Sequence, residues 1–183
     1  MTITRWLNQD EQRTWRTFML ATKLFQEQLE RELDQGTDVP SSYYEVLVRL
    51  SEAPDRRLRM SDLADRSQSS RSRLSHSLAR LETLGWIRRQ ACQSDRRGAF
   101  AVLTDRGFAA LEAAAPVHVE SVRAHLFDPL DSVQLDQLRA ISERLLEHLV
   151  KVKGASSDVV SLLGSPGTGA SGVAPASDAA AGS

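Results

Sequence analysis

"SRSRLSHSLARLETLGWIRR", residues 70–89, decides how this chain folds. Leu74, Leu78 and Leu81 stand at i, i+4 and i+7, which puts them on one face of a helix spanning about 70–84. Ser69, Ser72, Arg73, His76, Arg80 and Thr83 fall on the opposite face. Gly85 is a helix stop, because glycine takes the left-handed conformation that ends a helix at little cost. Trp86 and Ile87 then begin an apolar step with strand character. A solubilising surface helix would show the same two faces, so its neighbours decide what this one is for.

Upstream, Ser61 is an expected N-cap for a short helix, Asp62–Arg66, with Leu63 and Ala64 facing inward. Ser67, Gln68 and Ser69 read as a tight polar turn. Downstream, Arg88 and Arg89 lead to "CQSDRRGAF" (92–100) and the apolar run Phe100–Leu103. Short helix, tight turn, amphipathic helix and two-stranded hairpin, in that order, make a winged helix-turn-helix. Its second helix needs one apolar face for anchorage and one polar face for the DNA major groove. On that face Arg73 is placed to pair bidentately with a guanine. Ser69, Ser70, Arg71, Ser72 and His76 are expected at bases or phosphates, and Arg80 at a phosphate. The hairpin tip suits the minor groove, whose negative potential draws arginine. Asp95, two residues from Arg97, can hold its guanidinium in place, while Arg96 reaches phosphate. A self-neutralising surface turn is the alternative for this tip.

Charge is distributed to match. Residues 56–106 hold twelve arginines and five acids, a net +7, so the rest of a chain of net charge −1 sums to −8. A basic centre between acidic flanks is the footprint of a site for a polyanion.

The flanks read as helices. In residues 10–34, Trp15, Phe18, Phe25, Leu29 and Leu33 form one stripe, while Leu20 and Leu24 lie roughly opposite. Such a helix is buried on two sides, one against its own chain and one against a partner. Gly36 ends it. Serine after Pro40 is the expected cap of a helix carrying Tyr44, Leu47, Val48 and Leu50, which Pro54-Asp55 breaks. Thr104-Asp105 starts a helix toward Phe127, with a kink expected at Pro116. Leu135, Leu138, Ile141, Leu145, Leu149 and Val152 stripe the last helix. Beyond Lys153 the chain is rich in Gly, Ala, Ser and Pro, a composition expected to be disordered. The division that follows is 1–40 N-terminal dimerisation helix, 41–104 winged helix-turn-helix, 105–153 C-terminal dimerisation helices and 154–183 tail. The fold class is mainly α with a small β hairpin.

Several function classes are disfavoured. No run of 18 apolar residues suggests a transmembrane helix, and the polar start MTITRWLNQDEQ has no signal-peptide core, so the expected location is cytoplasmic, with no membrane partner. The single cysteine, Cys92, forms neither an intrachain disulfide nor a zinc site by itself. There is no glycine-rich phosphate loop, no Gly-x-Ser-x-Gly elbow and no carboxylate pair beside a base, so neither an enzyme nor a cofactor is expected.

Taken together, "LRMSDLADR" (58–66), "SRSRLSHSLARLETLGWIRR" (70–89), "SDRRG" (94–98) and "LTDRG" (103–107) resemble the MarR family of bacterial transcriptional regulators. The resemblance covers about residues 10–152. The family's Asp-x-Arg wing signature falls on Asp95 and Arg97, and its Leu-Glu-x-x-Gly helix exit on Leu81, Glu82 and Gly85. Many relatives carry Asp-Pro ahead of the wing motif, where this chain has Cys92-Gln93. The resemblance implies an obligate homodimer whose terminal helices form a shared domain and whose winged helices bind double-stranded DNA. It also implies a small aromatic or phenolic effector between the two regions, for which Trp15 and Phe18 are the candidate lining and dimer core the competing assignment. Cys92 reads as a passive thiol rather than an oxidant sensor, and His118 and His125 as packing or surface groups rather than metal ligands. The function expected is a sequence-specific repressor on a pseudo-palindromic operator. The alternative is a constitutive architectural DNA-binding protein without effector control.

Overall fold

A computed structural model of the chain describes residues 3–66, 71–91 and 99–153, with backbone alone at 64–66, 71–73 and 153. The described residues fall into two bodies, divided between Leu126 and Phe127.

The first body begins with α1, Gln9–Gly36. A capping box opens it: the Asn8 side chain accepts from the Glu11 amide at 2.8 Å, and the Glu11 carboxylate accepts from the Asn8 amide at 2.8 Å. Only the C-terminal half of the apolar stripe packs on this chain, where Leu33 is buried and Phe25 and Leu29 are half-buried. Trp15 and Phe18 keep 56% and 53% of their surface exposed, and Leu20 and Leu24 on the other side are equally open.

α2 is Ser41–Ser51. The expected serine cap is not there. Pro40 holds the cap position, and Ser41, the first helical residue, donates its amide to Asp34 Oδ1 at 2.6 Å. The aspartate of the preceding helix does the work assigned to serine. The break at Pro54 is a tight turn, Pro54–Arg56, in which Asp55 and Arg56 have φ of 53° and 52°. Two successive non-glycine residues in the left-handed region are strained, and the turn is held by side chains. The Arg56 guanidinium stacks 3.8 Å from the Phe108 ring centroid and reaches Asp105 at 3.4 Å. Asp55 pairs with Arg57 at 3.2 Å.

This turn launches β1, Arg57–Arg59, a strand that no local sequence pattern marks. Three residues are too few to show a period. The short helix α3 then starts at Met60 and runs to Arg66, so Ser61 lies inside its first turn rather than capping it. α4 is Arg71–Thr83, β2 is Ile87–Ala91 and β3 is Ala99–Leu103. The sheet is therefore three-stranded and antiparallel, ordered β1-β3-β2, with the expected hairpin as two of its strands. α5 spans Asp105–Val122 and passes through Pro116 without ending; a π-helical turn, Arg123–Phe127, follows.

Leu47 and Leu50 of α2, Leu63 of α3, Leu78 and Leu81 of α4 and Ile87 of β2 are the largest fully buried side chains. The core thus sits between the helices and one face of the sheet.

The second body holds α6, Ser132–Lys153. Asp131 and Gln134 cap it reciprocally, the Gln134 amide donating to Asp131 Oδ1 at 2.8 Å and the Asp131 amide to Gln134 Oε1 at 3.0 Å. Ile141, Leu145, Leu149 and Val152 of its apolar stripe are exposed.

Candidate nucleic-acid interface

The second helix of the helix-turn-helix is fixed from beneath and at its exit. Leu74, Leu78 and Leu81 are buried, which turns His76 and Arg80 outward into solvent. Gly85, at φ 71°, ends the helix in a Schellman motif, with the Trp86 amide donating to the Leu81 carbonyl at 2.9 Å and the Gly85 amide to Glu82 at 3.0 Å. The backbone of the first turn of α4 carries Arg71, Ser72 and Arg73. Ser69 and Ser70, also expected to meet DNA, lie outside the described residues.

The hairpin is registered on the helix exit by one threonine. Thr104 Oγ1 lies 2.7 Å from the Gly85 carbonyl and 3.0 Å from that of Trp86, so its proton is shared between them. The same oxygen accepts from the Gly107 amide at 3.1 Å, capping α5. Helix exit, hairpin base and the start of α5 therefore meet at one hydroxyl. Arg89 of β2 also reaches Glu82 of α4 at 3.1 Å. The ladder runs from Ile87↔Leu103 to Ala91↔Ala99. Cys92, Asp95, Arg96 and Arg97 fall in the connection between those last paired residues and lie outside the described residues.

The remaining expected groups separate. Trp15 and Phe18 belong to the exposed half of α1, away from the buried core. His118 packs against Tyr44, ring centroids 4.7 Å apart, and burial holds its pKa below the ordinary value. His125 Nε2 lies 2.8 Å from Glu32 Oε1. Glu32 is held down to about 2 by the Ser121 hydroxyl first, then by His125 and the Gln28 amide. Ser121 is buried and acts on it short of full hydrogen-bond geometry. These contacts tie α5 and the following π turn to α1 and α2, His118 by ring packing on Tyr44 and His125 through the Glu32 carboxylate. Among the described residues, no three His, Cys, Asp or Glu side chains are grouped to hold a metal ion. No described helix is long and apolar enough to cross a membrane.

This geometry recurs in known proteins. The family model of the MarR family matches residues 37–98, from just after α1 to just before β3. The crystal structure of Sco3205 from Streptomyces coelicolor, a MarR family transcriptional regulator in complex with DNA, is 46% identical with a TM-score of 0.73, over 80% of this chain and 92% of that one. This chain belongs to the MarR family. A second MarR family regulator of that organism, AbsC, is 44% identical with a TM-score of 0.71, over 80% of this chain and 98% of its own. The HTH-type transcriptional regulator PecS of Dickeya dadantii is 39% identical over 79 residues, a match that spans 43% of this chain and 47% of that protein. The MarR-type winged helix is accordingly the fold of this chain, and the three-stranded sheet with its wing hairpin is part of it.

Proposed function

We propose that this MarR-family transcriptional regulator binds a pseudo-palindromic DNA operator as a homodimer, represses transcription there, and is modulated by a small aromatic or phenolic effector. The observation that carries the reading is α4: an apolar face locked into the core, an outer face bearing His76 and Arg80, and an exit tied through Gly85 and Thr104 to the hairpin. Ser69, Ser70, Arg71, Ser72 and Arg73 are assigned with them to the major groove, and Asp95, Arg96 and Arg97 to the minor groove. Two such helices enter successive major grooves about 34 Å apart.

Dimerisation is supported by apolar surface that a single chain leaves open. Trp15, Phe18, Leu20 and Leu24 on α1 are exposed, as are Ile141, Leu145 and Leu149 on α6. A soluble chain seldom leaves so many large apolar groups open without a partner to cover them. Residues 1–40 and 105–153 are the dimerising regions and 41–104 the reading head. Residues 154–183 serve neither role, so their deletion leaves both activities. Trp15 and Phe18 are assigned to the effector pocket, between the dimerising region and the winged helix.

Fluorescence anisotropy on the duplex upstream of the gene and on a scrambled duplex, at several salt concentrations, tests this. A preference of about a thousand-fold for the upstream DNA is expected. Equal binding that fades steeply with salt on both would replace this reading with an architectural role.

A further inference from the structure

The three strands contain four arginines and no acidic residue: Arg57 and Arg59 on β1, Arg88 and Arg89 on β2, none on β3. Register sorts them by face. Arg57 pairs across with Val102, and Val102 with Arg88; Arg59 pairs with Phe100, and Phe100 with Gln90. Residues directly opposite on adjacent strands share a face, and alternate residues along a strand do too. Arg57, Arg59 and Arg88 therefore share one face with Phe100. Leu58, Ala101, Ile87 and Leu103 take the other, toward the core. Arg89 is on the core-side register, where Glu82 neutralises it.

The outer face is organised. The Arg57 and Arg59 guanidinium carbons each lie 5.4 Å from the Phe100 ring centroid. One aromatic ring thus gathers two like charges, an arrangement that gains most when an anion joins them. Asp55 reaches Arg57 from outside the strand, and Arg88 donates to the neutral Gln90 amide at 3.3 Å. Cationic charge stays in excess on an exposed surface. Its strained launch point at Asp55 and Arg56 is clamped to α5, which fixes the direction of β1.

We propose that the outer face of this sheet is a phosphate-binding strip for the DNA flanking each half-site. The inference rests on the DNA-binding reading above and extends it to residues outside both the reading helix and the hairpin tip. On that reading the core-side face of the sheet, with Ile87, Ala101 and Leu103 buried, stays against the helices, and the outer face turns to the duplex beyond the half-site. The strip contacts phosphates, so it adds affinity and footprint without adding sequence preference.

The test uses the full chain with Arg57→Gln, Arg59→Gln and Arg88→Gln combined. Anisotropy is read at several salt concentrations on two duplexes sharing one operator, one ending at the half-sites and one extended by about a helical turn, or 10 base pairs, on each side. The native protein should bind the extended duplex more tightly. The triple variant should lose that advantage, and the slope of log K against log salt should shrink by about 0.9 for each phosphate contact removed. Preference between operator and scrambled sequence should persist. The triple Lys variant keeps the charge and should restore the advantage, separating phosphate contact from ring stacking. Thermal melting of each variant reports folding, and the Arg59→Gln single variant, with a smaller loss, carries the same test if the triple melts early. An unchanged slope and an intact long-duplex advantage in the Gln variant overturn the proposal. So does an equal loss on both duplexes, which would place the strip within the half-site. Should the native protein bind neither duplex, the DNA-binding reading itself fails, a result distinct from these.

Discussion

Gly107 lies against the carbonyl of Trp86: a β-carbon at position 107 would stand 2.1 Å from that oxygen and 2.9 Å from Leu103 Cδ1. The first turn of α5 and the base of the hairpin approach as closely as two backbones can. No side-chain rotation opens that space, because the obstacle is a peptide oxygen. Gly107→Ala should therefore destabilise the protein by about 3 kcal/mol or more, read from chemical denaturation. Alanine is intrinsically better than glycine in a helix by about 1 kcal/mol, so a stabilised variant would show that this approach is not what holds the two elements.

Thr104 secures the same junction through its hydroxyl, which faces two carbonyls and caps α5. Thr104→Ala should cost about 1–2 kcal/mol, in the range of a lost N-cap. Thr104→Ser keeps the oxygen and should melt close to the native protein. Equal losses in both variants would assign the effect to the threonine methyl.

On the proposed interface, Arg73→Ala should weaken operator binding by about 1–3 kcal/mol and relax sequence preference. Arg97→Ala should weaken binding with less change in sequence choice. A competition assay with single-base operator variants separates the two. Equal losses on operator and random DNA for Arg73→Ala would remove it from base reading.

Stability should fall in acid in two stages. The pKa of His118, lowered by burial from 6.5, makes its neutral form the native one. Its contribution is complete above about pH 6.5 and declines as pH falls, because the unfolded chain binds the proton first. His118→Phe keeps a ring against Tyr44 and should flatten this stage. Glu32, at about 2 against an ordinary 4.5, contributes fully above pH 4.5 and is lost as pH falls toward 2. Glu32→Gln should flatten that lower limb alone. Melting temperatures at steps of pH, native against each variant, check both; parallel curves would dissociate these groups from acid unfolding.

Local chemistry alone determined much of this protein. Leu74, Leu78 and Leu81 define α4 by their spacing, Gly85 its end, and Thr104 the start of α5, because caps and periodic apolar faces act within a few residues. The resemblance to the MarR family followed from those same residues together with the arginines around them, and the likeness to Sco3205 and to the family model bears it out. Tertiary structure decided what depends on distant neighbours. Arg57–Arg59 is a strand only because β3 offers it a hydrogen-bonding edge more than 40 residues later. Asp34 replaces serine at the head of α2 because α1 ends beside it. Asp55 and Arg56 hold a left-handed turn because Phe108 and Asp105 of α5 receive the arginine. His118 and His125 gain their partners the same way, from helices far off in the chain. A period or a cap is written in adjacent residues, whereas a contact is set by how the chain returns on itself.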